Sequence, residues 1–164
     1  MIVREMANGQ LLCINQTTHS MMAAAFCRRW GNANFASPAP YEAVMIGIAQ
    51  HDCGWYSWEQ APQLRLDGYP MDFLHGPVGI EKLELWQDGI DRLYLQHPYA
   101  GLVAGQHAAW MHAESLSSIS EAERCDTQAF INAQTARIEM TRRYWRDNGA
   151  DRSLLDETAL VSNT

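Results

Sequence analysis

Short alternating apolar runs open the chain. Ile2-Val3-Arg4-Glu5-Met6-Ala7 and Gln10-Leu11-Leu12-Cys13-Ile14 flank Asn8-Gly9. Asn-Gly supplies the two positive-φ residues of a type I′ turn, so the pattern predicts a β-hairpin closed by that turn. Two strands are marginal alone in water, and their apolar side is expected to rest on the helices that follow. From Thr17 or Thr18 the spacing changes to three and four: Met21, Met22, Ala25, Phe26, Arg29 and Trp30 predict a first helix of about three turns, stopped by Gly31. Ser37-Pro38-Ala39-Pro40 makes 32–40 a connector and places a proline where the next helix begins.

Tyr41, Val44, Met45, Ile48, His51, Asp52 and Trp55 repeat the helical step, so His51 and Asp52 continue an inward stripe at the end of a second helix closed by Gly54. Trp55 to Pro77 reads as a long irregular segment, of the kind that covers a site or acts as a lid. A third helix is expected over 78–96, with Ile80, Leu83, Trp86, Ile90, Leu93 and Tyr94 inward. His97-Pro98 breaks it, His97 serving as a cap or turn residue. The fourth, over 99–115, places Leu102, Val103, Gln106, His107, Trp110 and Met111 on one face. His112 falls about 140° away by the 3.6-residue period and is expected to point out. Ser118…Glu121 and Ser120…Glu123 both fit a capping box for a last helix running to about Arg146. Asn148-Gly149 ends it, and 153–164 reads as a short turn and frayed tail. The expectation is one domain over 1–164, mainly α: a bundle of about five helices with an N-terminal β-hairpin.

Composition narrows the function. Twelve basic against nineteen acidic residues give 12 − 19 = −7, a charge that gains nothing from counterion release on a phosphate backbone, so no nucleic-acid partner and no anionic membrane are expected. A charged fraction of 19% with 47% hydrophobic residues is that of a folded domain. No stretch reaches a membrane span, and Met1-Ile2-Val3-Arg4-Glu5-Met6 lacks the character of a signal peptide, so a cytoplasmic location is expected. Cys13, Cys27, Cys53 and Cys125 form no C-x-x-C pair and are expected as reduced thiols, mostly buried. Lys82 is the only lysine, the other basic residues being arginines.

The chemistry concentrates in Gln50-His51-Asp52-Cys53-Gly54-Trp55, read with His19 and His107. Two or three imidazoles and a carboxylate suit one divalent transition ion, Fe, Mn, Zn or Ni, and are too nitrogen-rich for calcium. An inward Asp without a partner costs several kcal/mol, which itself calls for a cation or donors. Against this, a lone His on an apolar face is more often a hydrogen-bonded core residue, and a buried His/Asp network without metal is the competing reading. His75 and Gln50 are candidate substrate-binding residues, and Trp55, directly after the pair, is a candidate pocket wall. Cys53 is a poor nucleophile because adjacent helical side chains diverge by about 100°. No G-x-S-x-G, phosphate loop or G-x-G-x-x-G is present.

His19 followed by His51-Asp52, 51 − 19 = 32 residues on, resembles the H…HD pattern of the HD-domain superfamily, helical metal-dependent phosphohydrolases with a minority of iron oxygenases. That resemblance implies an HD-like helical bundle with His19, His51 and Asp52 as ligands. The superfamily's fourth ligand is an Asp on a late helix; here His107 stands at the corresponding place, with Asp91 and Asp126 as further candidates. A broader resemblance covers most of the chain. Met1-Ile2-Val3-Arg4, Ala49-Gln50-His51-Asp52-Cys53-Gly54-Trp55, Asp72-Phe73-Leu74, Gly89-Ile90-Asp91 and Pro98-Tyr99-Ala100-Gly101-Leu102 leading to His107 resemble a small bacterial family of unassigned function. Its members often carry an acidic residue at the place of Cys53 and a Gly at that of Ala108.

The resulting expectation is a hydrolase of a small phosphoester, with one metal on His19, His51, Asp52 and His107, and Asp52 as the catalytic carboxylate. The ion would lower a water's pKa and polarise the phosphoryl group; Arg28 or Arg29 would offer a fork to phosphate oxygens. A diiron oxygenase on the same scaffold would need Asp91 and His112 turned inward. The expected partner is a small-molecule substrate, with a homodimer as an open alternative.

Overall fold

The structure is a computed structural model that describes residues 1–150; the tail expected over 153–164 lies outside them. Strand β1 (Ile2–Glu5) pairs antiparallel with β2 (Leu11–Ile14), Ile2 opposite Ile14 and Glu5 opposite Leu11. The hairpin forms where expected, but its turn is of another type. Gly9 alone has positive φ, at 77°. Met6 O accepts from Gly9 N at 2.9 Å and Gln10 O from Met6 N at 2.8 Å. This is a three-residue loop with glycine in the left-handed position, which leaves Asn8 unstrained.

Five long helices follow: α1 (Gln16–Cys27), α2 (Tyr41–Gln50), α4 (Gly79–Gln96), α5 (Pro98–Ser115) and α6 (Glu121–Asp147), with a 3₁₀ turn over Cys53–Trp55 and a single helical turn α3 (Tyr56–Glu59) between α2 and α4. The segment expected to be irregular therefore begins with helical turns. Its remainder is tied down by backbone bonds, Met71 N to Gln63 O at 2.8 Å and Phe73 N to Met1 O at 2.8 Å. His97 caps α5 by accepting from Tyr99 N, with Pro98 at the first helical position. Of the two possible capping boxes the structure uses Ser120 and Glu123, each side chain accepting from the other's backbone N–H.

α5 is the axis of the bundle. Ala100, Gly101, Ala104, Gly105, Ala108 and Ala109 are all buried, and such small residues let α2, α4 and α6 approach from different sides. Gly101 has no alternative, since a Cβ there would stand 2.5 Å from the Tyr94 ring. Two apolar clusters result. One joins Val44 and Met45 to Tyr99, Leu102, Val103 and Ile138; the other joins Leu83, Trp86, Ile90 and Leu93 to Ala100, Ala104 and Phe130. Each fully buried Leu or Ile contributes about 1.5–3 kcal/mol. No helix among the described residues is long and apolar enough to cross a membrane.

Burial departs from the expected stripes in three places. On α1 the large apolar residues Met21, Met22 and Phe26 face solvent, Phe26 with 73% exposure, as does Trp30 just beyond; Ser20 and Ala24 make the buried contact. On α5 Trp110 and Met111 are exposed, whereas His112, expected outside, is buried. At that level the solvent-facing side of α5 carries Trp110 and Met111, while the His112 ring turns in against Trp86 and Phe130. Cys13 and Cys125 are exposed and Cys27 and Cys53 half-buried, all four as free thiols, so the expected burial of the cysteines does not hold.

Candidate metal centre

The site is built where α1, the end of α2 and α5 converge. His51 is the C-cap of α2, and Asp52 is the N-cap of the 3₁₀ turn over Cys53–Trp55. That turn is pressed against α4 at two glycines. A Cβ on Gly54 would lie 1.8 Å from Leu85 O, and one on Gly89 would lie 2.8 Å from Gly54 N. The G in the His-Asp-x-Gly-Trp run and the G of Gly89-Ile90-Asp91 thus mark the two sides of one backbone contact. Cys53 Sγ donates to Gly89 O at 3.5 Å across it. From the α1 side, Ser20 Oγ donates to Gln16 O at 3.0 Å and accepts from Asp52 N at 3.3 Å. Asp52 is held from both sides.

Ligand atoms of His19, His51 and Asp52 all lie within 4.8 Å of one another. His51 Nδ1 sits 2.8 Å from Ile48 O; a carbonyl only accepts, so Nδ1 carries the proton. The other nitrogen, Nε2, is then directed at Asp52 Oδ2, 3.2 Å away, with both side chains nearly buried. Two lone-pair atoms facing each other at that distance require a positive species: a proton or an ion. Burial alone would lower the His51 pKa, but the hydrogen bond and charge of Asp52, aided by Ile48 O, outweigh it, and the net shift is upward. His107 stands beside this set without being part of it. Its ring is 5.1 Å from that of His51, edge to face, and 6.1 Å from Trp86.

These groups form one wall of a cavity of about 500 Å³. Trp55 lies in its wall and is 1% exposed, with an indole Nε1 that has no hydrogen-bond partner among the described residues. Lys82 and His112 also line it. His112 Nδ1 donates to Ala108 O at 2.8 Å; burial holds its pKa below the usual imidazole value, with Lys82 adding to the shift and Ala108 O opposing it.

The structure therefore brings together His19, His51 and Asp52, with His107 and Trp55 adjoining. It does not bring Gln50 or His75 to the cavity. Gln50 exchanges two amide hydrogen bonds with Gln96, at 2.9 and 3.1 Å, and lines a separate groove. His75 is exposed and bound to Asp72. Asp91 is exposed and paired with Arg137, and Asp126 is exposed, so neither stands in for His107. Arg28 and Arg29 are exposed past the end of α1, and neither lines the cavity. Sequence reasoning missed Lys82, His112, Ser20 and Gln16. For Lys82 a signal existed: an isolated lysine one residue before an inward Leu83 in a chain that otherwise uses arginine.

Fold and site together define a mainly α-helical protein with a His/Asp cluster in the wall of an apolar cavity. A family model described as "Protein of unknown function (DUF3891)" matches residues 1–160, and the chain belongs to that family. No curated protein and no solved structure matches it.

Proposed function

We propose that the protein is a metal-dependent hydrolase of a small phosphoester, with one divalent transition ion on His19, His51 and Asp52 and with His107 as the fourth ligand. The observation that carries this reading is the opposition of His51 Nε2 and Asp52 Oδ2 at 3.2 Å while His51 Nδ1 is committed to Ile48 O. A histidine whose second nitrogen donates to a backbone carbonyl is oriented as metal-bound histidines are. Imidazole and carboxylate bind such ions at about 2.0–2.2 Å, so atoms already within 4.8 Å of one another need only small side-chain rotations to share one. The donor set fits a borderline ion such as Zn, Fe, Mn or Ni rather than calcium.

When bound, such an ion supplies Lewis acidity and acidifies a water. The chain's own residues do the rest. The Asp52 backbone is fixed by Ser20 and by the Gly54–Gly89 contact, and its carboxylate faces His51 Nε2. Beyond ligation, Asp52 accepts the proton of the attacking water. Trp55, Trp86 and Leu83 exclude bulk solvent from the same wall. The likeness of His19…His51-Asp52 to the HD-domain pattern supports phosphohydrolysis over other hydrolytic chemistries. A diiron oxygenase has less support: His112 does turn inward, but Asp91 does not, and His19, His51 and Asp52 are the one such ligand group among the described residues.

The test is metal content of untagged protein by plasma mass spectrometry, followed by a phosphoester panel with Mn or Co. About one ion per chain and turnover on that panel are expected. Absence of metal after reconstitution with Mn, Fe, Co, Ni and Zn would overturn the reading in favour of a buried polar network.

A further inference from the structure

The cavity holds one cation that the metal centre does not use. Lys82 Nζ donates to Phe73 O at 3.2 Å and stands 6.0 Å from the centre of the Trp55 ring. It forms no ion pair among the described residues. An ammonium has three donors, so two remain. Burial pulls its pKa below the usual lysine value and Asp72 pulls partly back. Glu123, which with Asp52 supplies the acids of the cavity wall, is already engaged by Ser120, whose hydroxyl donates to its Oε2 at 2.6 Å. The Trp55 ring beneath Lys82 forms part of the same wall. The rest of the wall is largely apolar: Phe73, Leu83, Trp86, Met111 and Ile119.

We infer that Lys82 is the anion-recognition residue of this cavity and that its ligand is a phosphate monoester of an apolar alcohol, an aryl or branched-alkyl phosphate. This deepens the hydrolase reading and rests on it for the reaction, though not for binding. A half-desolvated ammonium is worth more to an anion than one in water. A donor left unpaired in a buried wall favours a ligand that accepts from it. The phosphate oxygens take the two remaining Lys82 donors, and the carbon body takes the apolar wall.

The experiment is calorimetric titration of metal-stripped, full-length protein with phenyl phosphate, inorganic phosphate and benzyl alcohol, in wild type, Lys82→Met and Lys82→Arg. Phenyl phosphate is expected to bind at least tenfold more tightly than either fragment. Lys82→Met should weaken it at least tenfold, and Lys82→Arg should restore part of the loss, with thermal melting confirming that both variants fold. Equal affinity in Lys82→Met and wild type, equal affinity for benzyl alcohol, or no binding of phenyl phosphate would each overturn the inference. Because no metal and no turnover enter this measurement, its failure is separate from that of the hydrolase reading. A protein that binds phenyl phosphate through Lys82 but holds no metal loses only its proposed reaction.

Discussion

Two His–Asp ion pairs stand among the described residues, and the tighter one is the poorer candidate. His75 Nδ1 lies 2.7 Å from Asp72 Oδ1, whereas His51 Nε2 lies 3.2 Å from Asp52 Oδ2. The Asp72 carboxylate also accepts from the backbone N–H groups of Leu74 and His75, closing an Asx-type turn in the loop before α4. Its pKa falls below the usual carboxylate value: its modest burial pulls upward, and the His75 and backbone bonds overcome that. This pair is a satisfied, half-solvated turn. The Asp52 side chain has the same acid in a buried place, facing His51 Nε2 and with the His19 imidazole within 4.8 Å. Short distance records good local geometry; need for a further cation comes from burial and from unspent acceptors.

The largest effect expected from that contrast is on metal content. His51→Ala and Asp52→Asn should each take bound metal from about one ion per chain to background, because each removes one of few ligands. The same mass-spectrometric measurement on Asp72→Asn should show no change. Equal loss in both pairs would erase the distinction drawn from burial. Next comes Gly54→Ala. A methyl 1.8 Å from Leu85 O forces the 3₁₀ turn away from α4, and overpacking of this kind costs about 3 kcal/mol. Urea unfolding should show that loss as a lower midpoint, and the displaced Asp52 should lower metal affinity with it. A Gly54→Ala protein of wild-type stability would mean that the turn is free to shift and that the site is not held as described.

Much of this site was legible because its sequence signals are local. His51 and Asp52 close an apolar stripe immediately before Gly54, and Asn-Gly, Pro and His-Pro punctuate the ends of the elements. The contact of Gly54 with Gly89 was not legible, since nothing in either segment names its partner. Periodicity failed where burial is set by several neighbours. His112 lies well off the stripe of α5, yet α4 and α6 enclose that side too, and its ring meets Trp86 and Phe130. On α1 residue size misled: the contact with the site needs Ser20 and Ala24 close in, which leaves Met21, Met22 and Phe26 outside. Gln50 precedes His51 by one residue, but one helical step is about 100°, enough to carry it to Gln96 and another groove.

Acid–base behaviour gives a finer test of the buried pair. In metal-free protein the His51 pKa is raised by Asp52, so the folded state holds a proton more firmly than the unfolded chain does. The resulting stability is fully present below the ordinary imidazole pKa of about 6.5 and is lost as pH rises through the higher folded value. The stability of metal-stripped wild type against unfolding should therefore fall as pH rises across that window, and Asp52→Asn should flatten the slope. Metal should flatten it as well, by taking the proton's place between the same two atoms. A slope that survives Asp52→Asn would assign the proton to some other group.

The smallest effect belongs to the exposed pair. His75 is about half exposed at its side chain, and an ion pair in that setting contributes about 0–1 kcal/mol. Asp72 keeps its two backbone donors when the imidazole is removed, so the turn itself does not depend on His75. His75→Ala should thus leave metal content unchanged, and its urea midpoint should correspond to a change within about 0.5 kcal/mol of wild type. Its effect on phenyl phosphate binding should be equally slight, because Phe73 and Leu74 line the cavity and His75 does not. A substantial loss of binding in His75→Ala would place the 72–75 turn over the cavity mouth when ligand is bound, and would make the exposed pair part of the site after all.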